Sequence, residues 1–272
     1  MRRFFVAPSA IGETHIAIRE PADRNHIKNV LRMGIGDEAV LSDGTAFEYR
    51  ARITEILPDG VFFEILDKQG LASEPSVRIT LFQGMPKQGK LETIIQKSVE
   101  LGVHAIVPVH TARSVPKSNI GNTILKRERW KRVAAEAGKQ CRRGIIPEIE
   151  NPLGFTEAIA KLSRFDAVFF PYEEEEGITL KDVLVPVADM YRATKTQDKE
   201  TTEEPPEAGD VAHEDAAARI AVFIGPEGGV TGDEADALTC AGAKPCSLGK
   251  RILRTETAGP AAIAMILYEW EL

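Results

Sequence analysis

The sequence predicts an α/β protein in two parts, a small strand-rich barrel followed by a larger, mainly parallel sheet with helices on both faces. Three observations predict it. Residues 2–66 hold short apolar runs separated by Gly, Asp and Pro turns, the spacing of a small barrel. From Val77 onward strand-like and helix-like segments alternate, as in a parallel sheet joined by crossover helices. Near the C-terminus two glycine-bearing loops each follow an apolar run and open a helix, an arrangement that makes backbone amides converge on a polar ligand.

In the first part the strands are RRFFV, THIAI, EAVLS, FEYRARITEI and GVFFEIL, interrupted by one helical segment, ADRNHIKNVLR. Residues 67–76, DKQGLASEPS, read as a linker, so the parts are residues 1–70 and 77–272. In the second part the order is VRITLFQG, a helix over 90–101, HAIVPVH, a helix over 123–140, IIPEI, a helix over 154–162, and DAVFFP. Residues 187–217 include TKTQDKETTEEPPEAGDVAHEDAA, poor in large apolar side chains. Such a stretch buries too little surface to offset its ordering entropy and reads as a mobile acidic insertion.

The first glycine loop can be taken residue by residue. Ile220, Val222 and Ile224 point to one face and Ala221 and Phe223 to the other, a strand buried on both sides that ends at Gly225. Pro226 fixes one dihedral, while Gly228 and Gly229 permit positive φ and leave no Cβ in a ligand's way. Thr231 and Glu234 form a T-x-x-E capping box, so a helix starts there. An ordinary strand–turn–helix connection has the same appearance. In the second loop Leu248 and Gly249 end the strand PCSL, and Lys250, Arg251, Arg254, Thr255, Glu256 and Thr257 crowd ahead of a helix rich in small residues, from Gly259 through Ala264.

Composition excludes several classes. No apolar run is as long as a membrane span, and MRRFFVAPSA lacks a signal-peptide core, so a cytoplasmic location is expected. Cys141, Cys240 and Cys246 lack C-x-x-C spacing, and the five histidines include no H-E-x-x-H, so neither a disulfide framework nor a metal site is indicated. There is no Gly-x-Gly-x-x-Gly after the first strand of the second part and no P-loop lysine, which removes a Rossmann dinucleotide site. The formal charge of −7 is unevenly distributed: residues 173–217 carry 14 acidic and 4 basic side chains, whereas residues 112–143 carry 10 basic and 2 acidic. A basic segment of this kind is either a solvated helix face or a track for phosphates.

GPEGG with its T-x-x-E helix start, then SLGKRILRTETA and a C-terminal Ala-rich helix, resembles the RsmE family of the SPOUT superfamily. KLETIIQKSVELGV, IVPVHTARSV, AAEAGKQCRRGIIPEI and HIKNVLRMGIGD extend the likeness over nearly the whole chain. The 187–217 stretch departs from it, as does Cys141, where the family often carries serine. The resemblance implies a trefoil-knotted second domain and a PUA-like barrel, acting as a homodimer on N3 of a uridine in the 16S rRNA of the small ribosomal subunit. The methyl donor it implies is S-adenosylmethionine, without a metal.

Carried over onto this sequence, the family motifs place Gly225, Pro226, Glu227, Gly228, Gly229, Leu248, Gly249, Ile252, Leu253 and Thr257 around the donor. They set Arg254 toward the target base, with Glu227 and Glu256 as acids available as bases or as acceptors for loop amides and arginines. Arg3, His26 and Arg32 of the barrel and Arg113, Arg142 and Arg143 of the basic segment are the expected RNA contacts. A 2′-O-ribose methyltransferase of the same superfamily and a non-catalytic ribosome-assembly factor stay open as alternatives.

Overall fold

The computed structural model describes residues 2–87, 89–114, 120–201 and 217–271. The chain divides into two units, residues 1–74 with 138–146, and residues 75–137 with 147–272.

In the first unit β1 (Arg2–Phe5), β2 (His15–Ile18), β3 (Glu38–Ser42), β4 (Phe47–Ile56) and β5 (Val61–Gly70) form one sheet in the order β1-β3-β4-β5-β2. Tyr49, Ala51 and Ile53 of β4 are buried while Arg50 and Arg52 face solvent, the period-two alternation of a half-buried strand. β1 pairs parallel to β3 and the other pairs are antiparallel. The helical segment is α1 (Pro21–Asn25), with Pro21 at its first position, continued by a π-helical turn, His26–Val30, that buries Ile27. β5 extends through Gly70, so the first four residues of the segment read as linker are strand.

Residues 138–146 belong to this unit, which the sequence did not reveal. The Arg143 guanidinium, 4% exposed, meets the Glu74 carboxylate at Nη2–Oε2 2.6 Å and Nε–Oε2 3.2 Å. Glu74 Oε1 also accepts the amides of Gly144 and Ile145 at 2.8 and 3.2 Å, and Ser42 Oγ donates to the Gly144 carbonyl at 2.6 Å. The expectation that Arg143 contacts RNA is therefore corrected, because its donors are committed inside the protein. Arg143→Ala would leave Glu74 a largely buried, uncompensated anion. It should destabilise the unit by about 3–5 kcal/mol, measurable by denaturant unfolding, and Glu74→Gln in the same chain should recover part of the loss.

In the second unit β6 (Val77–Gly84), β7 (Ala105–His110), β8 (Glu148–Ile149), β10 (Ala167–Pro171), β11 (Ala218–Ile224) and β12 (Lys244–Cys246) run in the order β12-β10-β11-β6-β7-β8, and β9 (Leu153–Gly154) pairs with β7. Every pair is parallel. Phe82, Ala221, Phe223, Val168 and Phe170 form a core with Ala158 and Leu162 of α4 (Phe155–Leu162) and Ala235 and Leu238 of α6 (Gly232–Cys240). α7 (Thr255–Glu271) lies along β6 and β11, beside α2 (Lys90–Glu100) and α5 (Leu180–Thr201). Gly259 allows this approach, since a Cβ there would stand 3.2 Å from Leu81 Cδ2.

α5 occupies the start of the stretch read as an insertion, and that reading is corrected over residues 187–201. Leu180, Leu184, Val187 and Ala188 are buried at helical spacing, and this buried stripe outweighs the break expected from Pro186. Residues 202–216 lie outside the described residues. No helix among the described residues is long and apolar enough to cross a membrane.

From β6 the chain winds through α2 to β7, and from β11 it winds through α6 past β10 to β12. The two paths leave in opposite directions. The gap between the carboxyl ends of β6 and β11 is thus a topological switch point, where open parallel sheets bind ligands.

Candidate functional site

Both glycine loops lie at that switch point. Gly84 ends β6 against the first loop: a Cβ on it would stand 2.6 Å from both Pro226 N and Cδ. The Gly229 amide donates to the Pro226 carbonyl at 2.9 Å, closing a turn over Glu227 and Gly228. Gly229 has φ 68°, but Gly228 does not have positive φ, and a Cβ on Gly228 would make ordinary contact, 3.4 Å, with Arg113 Cβ. Of the two glycines, only Gly229 is required by backbone conformation.

The turn is held from outside. Arg113 Nη1 donates to the Gly228 carbonyl at 2.8 Å, so this residue, expected on the RNA track, braces the first loop. The T-x-x-E box forms as read, with the Glu234 amide 3.3 Å from Thr231 Oγ1 and the Thr231 amide 3.0 Å from Glu234 Oε2. Glu234 Oε1 also accepts the Ala112 amide at 2.7 Å, tying α6 to the loop after β7.

In the second loop Gly249 has φ 120° with open space where a Cβ would stand, so conformation rather than crowding calls for glycine. Leu253 is half-buried, and Ile252 is 84% exposed. The Arg254 carbonyl accepts the amides of Thr257 and Ala258 at 2.8 and 2.9 Å, which makes Arg254 the N-cap of α7 by backbone and leaves its side chain exposed. Thr257, read as a donor contact, is exposed on the first turn of α7. The residue that joins the loops is its neighbour Thr255, which is buried: its hydroxyl donates to the Gly225 carbonyl at 2.7 Å and accepts from Gln83 Nε2 at 2.9 Å.

A second tie is ionic. Lys90 Nζ stands 3.0 Å from Glu256 Oε2 and 3.2 Å from Glu227 Oε1, and the Lys87 amide lies 3.1 and 3.2 Å from the two Glu227 oxygens. The bond to Glu256, with that to Glu227, pushes the Lys90 ammonium above its usual range. Burial opposes the Glu227 anion, but its own amide, the Lys87 amide and Lys90 outweigh it and hold the carboxyl below the usual range. Glu256 is held low by its own amide, then by Lys90, with Arg254 adding to the effect. Gln83 and Lys90 were not singled out from sequence, and Thr255 was noted only as one of a crowd of polar residues. The KLETIIQKSVELGV motif was the available signal for Lys90, though it carried no role.

The remaining expected RNA contacts divide by burial. Arg3 pairs with Glu48 at 2.7 Å, both side chains largely buried. His26 is exposed with its ring edge-on to Phe4, and Arg32 and Arg142 are exposed at φ 54° and 63°. Within the basic helix α3 (Ile120–Gln140), Arg129 pairs with Glu92 at 3.1 Å and Arg127 Nε donates to the Ile149 carbonyl at 3.1 Å.

These loops suit S-adenosylmethionine on observations of this chain. Two positive-φ glycines open the backbone, the exposed Ile252 offers an apolar surface for a purine face, and the carboxyl-end switch point is the standard place for a nucleoside ligand. Among the described residues no cluster of His, Cys, Asp or Glu could hold a metal ion.

Fold and site together define a two-unit protein whose parallel α/β unit carries a backbone-lined cradle at its C-terminal loops. A family model described as an RNA methyltransferase domain matches residues 73–267, and one described as an RNA methyltransferase PUA domain matches residues 18–66. The ribosomal RNA small subunit methyltransferase E of Bacillus subtilis is 32% identical over 91% of this chain and 88% of its own. The protein of the same name from Synechocystis is 29% identical, over 97% and 76%. Among solved structures, a ribosomal RNA small subunit methyltransferase E from Neisseria gonorrhoeae bound to S-adenosyl methionine superposes with TM-score 0.76 at 28% identity, covering 99% of this chain and 98% of that one. The chain belongs to the ribosomal RNA small subunit methyltransferase E family.

Proposed function

We propose that this protein transfers the methyl group of S-adenosylmethionine to N3 of a uridine in the 16S rRNA of the small ribosomal subunit, in the cytoplasm. The observation that carries the reading is the Thr255–Gly225 bond of 2.7 Å, which joins the two glycine loops into one cradle at the switch point. When bound, the donor supplies an electrophilic methyl carbon on a sulfonium. The protein's share is then positioning and charge stabilisation. Gly225–Gly229 and Leu248–Leu253 offer backbone groups and the Ile252 face, and Arg113, Thr255 and Lys90 brace them. Uracil N3 must lose its proton, and the charge spreads to O2 and O4. The exposed Arg254 guanidinium, next in sequence to the buried Thr255, is the cation suited to meet it. Incubating the protein with S-adenosylmethionine carrying a labelled methyl and with small ribosomal subunits lacking the modification tests this, since label in RNA supports it and none contradicts it.

The same proposal includes a homodimer. Thr257, Ala261, Ala264, Met265 and Tyr268 lie on one side of α7 at i, i+4, i+7, i+8 and i+11, and Met265 and Tyr268 are exposed apolar side chains. Such an uncovered apolar stripe suits a second copy of the chain. Sedimentation at micromolar concentration should give twice the chain mass, and a fully active monomer would contradict the dimer.

A further inference from the structure

We propose that Lys90 is a positioning residue for methyl transfer: its ammonium clamps Glu227 of the first loop to Glu256 of α7, so that neither carboxylate acts as the base. The inference rests on the reading of this site as the donor cradle. The three groups come from α2, the loop after β11 and the first turn of α7, and they meet only in the folded unit. Lys90 Nζ reaches both acids within 3.2 Å, and all three side chains are partly shielded, at 22–29% exposure.

The placement of the lysine is itself informative. Lys90 is the first residue of α2, behind Gly89 at φ 87°. A helix N-terminus favours an anion and disfavours a cation. An ammonium at this place is unfavourable on local grounds and gains its support from the two carboxylates above it. The same field favours Glu227, which already takes the Lys87 amide.

Two carboxylates so close would repel each other, and one would be driven toward protonation. The ammonium between them removes that tendency. Each acid is then a weak base, poorly suited to take a proton from an imide, but a firm anchor for the loop. The charged groups facing the pair are Lys90 toward both acids and Arg254 toward Glu256, with the Lys87 amide on Glu227. The proton of uracil N3 is left to solvent or to the substrate's surroundings, with cations stabilising the anion that forms.

The test begins without donor. Carbon-detected NMR titration of the Glu227 and Glu256 carboxyls in the full chain should show both below the ordinary glutamate range, and Lys90→Met should raise both. Calorimetry with S-adenosylmethionine should then show affinity reduced on the order of tenfold in Lys90→Met, with the acid-side loss of binding moved to higher pH. Lys90→Arg should restore most of both, because a guanidinium can span two carboxylates. Should Lys90→Met fail to fold, Glu256→Gln and Glu227→Gln still decide the matter: each should retain methyl transfer within about tenfold, the positioning loss expected of an anchor. Carboxyls that titrate alike with and without Lys90, or loss of turnover at every pH in either amide variant, would overturn the inference. A wild-type chain that binds no S-adenosylmethionine would instead refute the functional reading, and the donor-free titration would still judge Lys90.

Discussion

Gly229→Val is expected to reduce S-adenosylmethionine affinity by roughly 10- to 100-fold, the equivalent of about 1–3 kcal/mol of backbone strain. The cause is local. Gly229 has φ 68°, a region that β-branched residues scarcely enter, and a Cβ there would collide with the Glu173 carboxylate. Glu173 can swing aside, but the dihedral cannot relax without moving the turn that the Pro226 carbonyl closes. Gly228→Ala is the matched control: φ there is not positive and a Cβ finds 3.4 Å of room beside Arg113, so affinity should change less than about threefold, under 1 kcal/mol. Calorimetry on the two variants checks the contrast, and equal losses would contradict the assignment of the strained position.

Arg254→Ala should lower turnover by about 10²–10³ with donor affinity nearly unchanged, the loss seen when one donor to a developing anion is removed. The side chain is exposed while its carbonyl caps α7, so truncation leaves the cap and the loop path intact. A guanidinium aimed at O2 or O4 of uracil contributes most once the ring is an anion, and for that reason the defect falls on the chemical step. Single-turnover methyl transfer with saturating donor measures it. A fall in donor affinity of the same size would show that Arg254 holds the cofactor loop instead.

Much of the second unit was legible from sequence because its signals are local. The strand Ala218–Ile224 announced itself by an apolar run on both faces, Thr231 and Glu234 by their spacing, and the helix Lys90–Glu100 by its place in the alternation of strands and helices. What escaped depends on distant partners or competing signals. Lys90 meets acids 137 and 166 residues away, and no spacing rule reaches that far. Arg143 looked like one more cation in a basic run until Glu74, from the segment read as linker, was found against it. The acidic composition after residue 187 masked the end of α5, although Leu180, Leu184 and Val187 carry a helical stripe. The knot that the family resemblance implies has no signature in residue pattern at all.

The site was legible to a similar degree. Gly225 to Gly229 and Leu248 to Leu253 were read as two loops that each open a helix, since glycine and proline report backbone need directly. Their braces were not read as such, because Gln83, Thr255 and Arg113 act through hydrogen bonds whose partners are set by the fold.

The central claim, methylation of uridine N3 in small-subunit rRNA, is tested most directly by mass spectrometry. Small subunits lacking the modification are incubated with the protein and S-adenosylmethionine, and the RNA is digested to nucleosides for analysis. One methyl per 16S rRNA is expected, carried on the base as 3-methyluridine. Methyl on the ribose, or RNA left unmethylated while the protein still binds the subunit, would contradict it.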